Sequence, residues 1–364
     1  MTSPAPGSAA APASAWTCPF CSLHCHDLAL EVAMPPGGPG GPDGAGGTTT
    51  VALRPLPAQP ATTTTAAAPA PCSRASEALA RWTAGQPTSA DAPPAWIAGQ
   101  PATLDAGLAR AAELLASARQ PLIGGLATDV QGTRALMRLA GRIGAISDHL
   151  NGEAQALATR LLHDQGAWQV TLGEVVDRAE VMVCIGSDPA ARHPRFWQRL
   201  RADRDDSPLK QIVMLGLGRA TRATALETAR LATAGRAEPP QIEALDLDAG
   251  DLFDQLQALA LAFRRRPPAG LPAAWTELAA VLKGSTYTGF IWEPGVWPRH
   301  GELVAQALQG VIATLNHSAT RAGSFMLGGG EGGATALQVH TWLTGLPLRT
   351  RLDRRPGGAI DHDP

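Results

Sequence analysis

Polar and apolar residues alternate over Asp27–Ala33 (DLALEVA) and again over Thr48–Leu56 (TTTVALRPL). This is the two-residue period of half-buried strands and predicts a hairpin. Between them PPGGPGGPDGAGG has nothing to pack and reads as an expanded turn; ATTTTAAAPAP is a second soft stretch before Cys72. Ser73–Trp82 carries a Ser N-cap and helical spacing, and a Pro-rich linker follows to about Pro94. The period then changes. Leu104–Ser117 is an Ala- and Leu-rich helix, Pro121–Leu126 a short buried strand ending in glycines, Gly132–Ile143 a helix and Ala145–Ser147 a strand, which makes one β-α-β unit. Helix Leu172–Ala179 leads into a buried strand, Glu180–Ile185, that stops at the loop Gly186–Pro189. A charged helix containing Arg195 to Arg204 precedes the strand Ile212–Leu215. From Pro239 the order is a strand, helix Asp251–Arg266, a Pro-rich break, strand Thr286–Trp292 and the apolar helix Gly301–Leu315. Strands alternating with helices predict mostly parallel sheets covered on both faces. No internal repeat is visible.

Composition narrows the function classes. With 364 residues, 45% of them hydrophobic, the chain can fill one large core or two moderate ones. A net charge of -2 without long basic runs excludes a nucleic-acid surface. Lys210 and Lys283 are the only lysines, which, with the many Ala, Gly and Pro residues, is a coding-bias signature. Residues 1–16 lack the basic start and apolar stretch of a secretion signal and read as a disordered tail. No window approaches the roughly 18 apolar residues of a membrane span. Three of the five cysteines fall within eight residues, which suits a metal in a reducing cytoplasm.

Those three, Cys18-x2-Cys21-x3-Cys25, with the distant Cys72, are the candidate metal ligands. Soft thiolates suit iron-sulfur clusters or zinc, and the three-residue gap favours a [4Fe-4S] cubane over paired zinc knuckles. Two alternatives stay open: zinc on Cys18, Cys21, Cys25 or His26, and Cys72, or a relic framework that binds no metal. His24 and His26 flank the cysteines and either tune a potential or sit exposed on a loop. Cys184, alone in an apolar strand, reads as an inert buried thiol.

Four stretches, CPFCSLHCHDLALEV, IGGLATDVQGTRALMRLAGRIGAISDH, TLGEVVDRAEVMVCIGSDPAARHPRF and LQVHTWLTGLPLR, together resemble the B subunit of formylmethanofuran dehydrogenase, from about Trp16 to Arg351. Bacterial members of that group look like the B subunit of the formyltransferase/hydrolase complex of methylotrophs. The α/β body and cysteines are more distantly similar to molybdopterin oxidoreductases. Together with the patterning, the resemblance implies mostly parallel sheets in Rossmann-like three-layer domains, with a small N-terminal β-hairpin cysteine domain of iron-sulfur type. The expected division is a tail at 1–16, the four-cysteine domain at 17–82, a discontinuous first α/β domain at 95–150 and 280–364, and an inserted second one at 151–279. Family members continue with further α/β units beyond the point matching Pro364, so the chain also reads as a truncated product or a fragment.

In the archaeal family a tungsten or molybdenum pterin takes a cysteine or selenocysteine thiolate from the loop after the first β-α-β unit. Here that loop, Ser147-Asp-His-Leu-Asn-Gly-Glu-Ala154, has no cysteine. The resemblance therefore implies a catalytically degenerate subunit without molybdopterin, acting in formaldehyde oxidation. It would work in the cytoplasm beside other subunits of the complex, which bind a methanofuran-like carrier, release formate and pass formyl groups to tetrahydromethanopterin. The competing expectation is a working molybdenum or tungsten oxidoreductase using Asp148, His149 or Glu153 in place of the thiolate. His193-Pro194-Arg195 is expected to close a strand, and Gly328–Gly333, which follows no clear strand, to line a degenerate pterin pocket. Trp275, Trp292 and Trp297 invite a partner surface, with core packing the better expectation.

Overall fold

The computed structural model describes residues 14–33, 50–55, 72–84, 93–245, 251–297, 300–328, 330–353 and 360–362. The expected turn at 34–49, the soft stretch at 56–71, most of the linker before Pro94 and residues 1–13 of the expected tail lie outside these. Contacts divide the chain into two units: Met1–Phe20 with His24–Glu113, and Cys21–Leu23 with Leu114–Pro364.

In the first unit the alternating segments form β2 (Leu28–Ala33) and β3 (Thr50–Pro55), paired antiparallel from Leu28↔Pro55 to Ala33↔Thr50. A third strand, β1 (Ser14–Trp16), pairs with β2 through Ser14↔Leu30 and Trp16↔Leu28, so the end of the expected tail is ordered sheet. The Trp16 ring meets Phe20 edge-on at 5.9 Å, which anchors that strand. Helix α1 (Ser73–Ala84) starts on the carbonyl of Cys72, which accepts from the Ser76 amide at 2.9 Å. A small hairpin, β4 (Ala95–Ile97) and β5 (Gln100–Ala102), precedes α2 (Leu104–Ser117), whose limits match the sequence expectation. None of the residues of α2 is buried: Leu104, Leu108 and Leu114 are 55%, 60% and 53% exposed.

The second unit continues with β6 (Leu122–Ile123), α3 (Val130–Ile143), β7 (Ile146–Ser147), α4 (Gly152–Gln165) and α5 (Leu172–Arg178). Next come β8 (Val181–Ile185), α6 (Pro189–Arg192), α7 (Phe196–Arg199), β9 (Gln211–Leu215), α8 (Arg219–Thr233), β10 (Gln241–Leu245) and α9 (Leu252–Ala262). The remainder is α10 (Ala273–Gly284), β11 (Tyr287–Trp292), α11 (Gly301–Asn316), β12 (Arg321–Met326), α12 (Gly333–Thr344), β13 (Thr350–Leu352) and β14 (Ile360–His362).

Five strands make a parallel sheet in the order β10-β9-β8-β11-β12. A smaller sheet has the order β14-β13-β7-β6, with β6 and β7 parallel and β13 antiparallel to both its neighbours. The fold is thus α/β with a parallel main sheet. Val181, Val183, Ile185, Val213, Leu215, Phe290 and Trp292 face one large apolar cluster with residues of α9, α10 and α11, including Trp275. The alternate residues Met182, Cys184, Ile212, Met214 and Ile291 are equally buried, so the sheet is covered on both faces. Trp275, Trp292 and Trp297 are core residues, and Trp292 stacks on Trp297 with centroids 5.0 Å apart.

Three expectations differ from this. Thr288–Trp292 of β11 pairs directly with β8, so strands assigned to 151–279 and to 280–364 share one sheet and no sheet boundary falls at 279/280. The helix expected over Arg195 to Arg204 ends at Arg199, because Arg201 turns to a positive φ of 52°. Pro194 also separates it from α6. The loop Ser147–Ala154 enters a helix, α4, from Gly152. Among the described residues no helix is long and apolar enough to cross a membrane.

Phe290 is fully buried at the middle of β11. Phe290→Ala is expected to cost ~3–5 kcal/mol, measured by urea unfolding of the full chain.

Candidate functional site

The sheet order runs outward from β8 through β9 to β10, then returns to the other side of β8 for β11 and β12. At such a reversal, loops at the carboxyl ends of the two adjacent strands diverge and leave a crevice, the usual ligand position in open α/β sheets. The loops here are 186–188 after β8 and 293–297 after β11. Gly186 has φ +68°, and a Cβ on it would lie 2.8 Å from both Leu252 Cδ2 and Trp297 Nε1, so only glycine lets the chain leave β8 beneath the Trp297 ring. Asp188 caps the next helix: its Oδ1 accepts from the Ala190 amide at 3.0 Å, with Pro189 in the first turn. Arg192 on that helix pairs with Glu293 at 3.0 Å and ties the β8 loop to the β11 loop. His193 and Arg195 are both 4% exposed; Arg195 Nε donates to Gln198 Oε1 at 2.7 Å. The strand-closing role expected for His193-Pro194-Arg195 is corrected: β8 ends at Ile185, and these residues join two helices, His193 ending α6 and Arg195 preceding α7. His193 has a further partner that sequence could not reveal: its Nε2 lies 3.0 Å from the hydroxyl of Ser22.

The glycine-rich stretch does follow a strand. It joins β12 to α12, and β12 escaped notice because RAGSFM has small and charged residues instead of a β-branched run. Gly332 has φ +77° and approaches the Thr128 backbone, where a Cβ would come to 3.0 Å from the amide nitrogen. Gly333 begins α12 against Gln155 and His149. His149 is held at both nitrogens: Nδ1 accepts from the Asn151 amide at 2.9 Å, which places the proton on Nε2, and Nε2 donates to the Glu331 carbonyl at 3.0 Å. Asp148 Oδ1 accepts from the His149 amide at 2.8 Å, and Glu153 is exposed on the first turn of α4. The three candidate replacements for the missing thiolate therefore do not converge. The loop offers no thiolate to a soft metal. Nearby, the hydroxyls of Ser147 and Ser187 and both amide atoms of Gln155 are buried without a partner in the described residues.

Cys18, Cys21, Cys25 and Cys72 are 4%, 7%, 4% and 7% exposed. The Cys18 amide donates to the Cys25 carbonyl at 2.8 Å and closes the loop that carries the triplet. In identity and burial these donors suit a thiolate-held metal. Their side chains are not pre-gathered: among the described residues no three His, Cys, Asp or Glu groups are placed to hold an ion. His24 and His26 are exposed. Cys184 is fully buried in β8, and burial pushes its thiol far above the usual range, so it is inert.

Burial raises the Asp188 carboxyl above its ordinary 3.8, against the lowering effect of the Ala190 and Ala191 amides. The folded protein therefore holds this proton more tightly than the unfolded chain. Ionisation of Asp188 costs stability as pH rises from 3.8 through the folded-state value. Asp188→Asn keeps the helix cap and removes the buried charge. Its melting temperature at pH 7 is expected to exceed that of the parent, with the difference lost below pH 3.8, as followed by circular dichroism.

No family model matches the chain. It is 33% identical over 249 residues to the B subunit of the formyltransferase/hydrolase complex Fhc of Methylorubrum extorquens, covering 67% of this chain and 62% of that protein. It is 26% identical over 253 residues to the B subunit of tungsten-containing formylmethanofuran dehydrogenase 2 of Methanocaldococcus jannaschii, covering 68% and 56%. The chain thus spans less than two thirds of the length of either relative. Its structure is similar to a chain in the crystal structure of the formyltransferase/hydrolase complex FhcABCD from Methylorubrum extorquens with methylofuran. The TM-score is 0.58 at 27% identity, covering 74% of this chain and 69% of that one. By sequence and by fold, the chain belongs to the family of the B subunits of the formyltransferase/hydrolase complex and of formylmethanofuran dehydrogenase.

Proposed function

We propose that this chain serves as the B subunit of a formyltransferase/hydrolase-type complex in one-carbon metabolism and supplies architecture instead of redox chemistry. The observation that carries the reading is His149, beside the cysteine-free loop, with one ring nitrogen taken by the Asn151 amide and the other by the Glu331 carbonyl. A ring so engaged offers no lone pair to a metal and no free base. Homology to the B subunit of a complex solved with methylofuran supports partners of the same kind, in which other subunits hold a methanofuran-like carrier, release formate and transfer formyl groups. In this reading the subunit works in the cytoplasm. The working-oxidoreductase reading is disfavoured because Asp148 and His149 are engaged locally and Glu153 faces solvent.

In this reading the α/β body is a Rossmann-like three-layer arrangement, and residues 17–82 form a small cysteine domain of iron-sulfur type. Cys18, Cys21, Cys25 and Cys72 would hold the metal, a [4Fe-4S] cluster by donor type and spacing, or zinc as the second candidate. A cluster bound there would supply electron storage. In this reading, without a redox partner in the chain, its contribution would be to fix the cysteine loop. The crevice residues act structurally: Asp188 caps α6, Arg192 and Glu293 join two loops, and His149 pins the glycine-rich loop.

The test is metal analysis and optical spectroscopy of the complex purified anaerobically after coexpression with formyltransferase and hydrolase subunits. The expected result is stable co-purification, iron with broad thiolate-to-iron absorption, and neither tungsten nor molybdenum. Stoichiometric tungsten or molybdenum would overturn the architectural reading, and zinc without iron would replace the cluster. Cys72→Ser is expected to lower metal content and complex yield together.

A further inference from the structure

Helix α3 has two chemically opposite faces. Thr133, Met137 and Ala140 are buried, and Leu136 packs beside Ala336 and Leu337 of α12 against Leu126 and Leu348. On the other side Arg134, Arg138 and Arg142 are exposed at four-residue spacing. Each therefore lies about 6 Å further along the helix axis, and about 40° further round it, than the one before. Val130 and Leu139 border this ridge on its two flanks and are exposed as well. Like charges one turn apart repel and weaken the helix that carries them. Elsewhere helical arginines meet carboxylates within a turn: Arg81 pairs with Glu77, Arg110 with Glu113 and Arg178 with Glu174. Of the helices with two or more arginines, α1, α3 and α8, only α3 contains no acid.

Nothing nearby in the chain neutralises the ridge. Among the described residues none of its three guanidinium groups forms an ion pair. Between Leu114 and Ser147 the sequence carries Arg119, Arg134, Arg138 and Arg142 against one acid, Asp129. The Asp129 carboxylate is committed as the N-cap of α3, where its Oδ1 accepts from the Gly132 amide at 2.7 Å. This positive excess sits in a chain whose net charge is -2. We propose that the ridge docks a carboxylate-bearing face of a partner subunit, whose acidic side chains, one helical turn apart, pair with Arg134, Arg138 and Arg142. Guanidinium groups grip carboxylates through parallel hydrogen bonds, which fixes position as well as charge. A polynucleotide is the poorer occupant, because a site for one neutralises on the order of 6–10 phosphates and the ridge offers three cations. The inference rests on the reading of the chain as a complex subunit. What it adds is the face by which the chain is held and the chemistry of the surface that holds it.

The experiment uses the complex obtained by coexpression with tagged formyltransferase and hydrolase subunits. Arg138→Glu places a carboxylate one turn from an arginine on either side, so the isolated variant chain is expected to melt at or above the temperature of the parent. In the complex the same variant is expected to lower the amount of this chain retained per tagged subunit several-fold, and Arg134→Glu/Arg138→Glu/Arg142→Glu roughly tenfold or more. Arg138→Lys keeps the charge and supplies an amine. Because Lys210 and Lys283 are the only other lysines, a zero-length carbodiimide cross-link from position 138 is readily assigned by mass spectrometry. The expected product joins position 138 to an Asp or Glu of another subunit. Full retention of the triple variant, no cross-link from position 138 to another subunit, or loss of the chain on nuclease treatment would overturn the ridge as a subunit contact while leaving the subunit reading standing. A parent chain retained by neither tagged subunit would remove the subunit reading and the ridge with it.

Discussion

The pairing of β8 with β11 is the constraint on which the second unit depends. These strands are adjacent in space although α6 to α10 and two further strands separate them in sequence, and each is buried along its whole length on both faces. A strand in that position satisfies its backbone groups only through its neighbours, so the register Val181↔Thr288 to Ile185↔Trp292 leaves little freedom. It also sets where the two strands end together, at Ile185 and Trp292. The stacked Trp292 and Trp297 rings and the Gly186 turn follow from that shared end, as does the Arg192–Glu293 pair beyond it. The crevice is in this sense a product of sheet order.

The candidate groups of the site are engaged in local contacts. His149 is engaged at both nitrogens, Asp188 is spent on a helix cap, and the Cys184 thiol is sealed in the sheet. The glycines of the loop before α12 admit close backbone approach, and the loop Ser147–Ala154 carries no thiolate. These residues hold the loops together. Removing them would leave buried polar atoms without partners, which costs about 1–3 kcal/mol for each group.

Legibility in the sequence followed burial and chain separation. Val181–Ile185 and Tyr287–Trp292 are continuous apolar runs, and α2, α3 and α11 carry periodic apolar positions, so their limits could be read within a few residues. The helices α8, α10 and α12 and the strand β12 were not legible, being rich in Ala, Thr and Gly, whose weak hydrophobicity leaves a faint period. Sheet membership was beyond local patterning, which is why a boundary was expected at 279/280. At the site, the cysteine spacing and the missing thiolate were plain in the sequence. The Asp188-Pro189 pair carried a helix-start signal that could have marked the cap. The Ser22–His193 and His149–Glu331 contacts join residues 171 and 182 positions apart and belong to the tertiary structure alone.

Helix α2 carries a consequence of a different kind. Fourteen residues rich in Ala and Leu, with three leucines more than half exposed and none buried, are marginal as a helix in water unless something lies against them. An oily stripe of this sort is a colloidal liability as well as a contact surface. Its three exposed leucines keep apolar area in water, so the solubility of the isolated chain depends on that one short segment more than on any comparable stretch of the buried sheet.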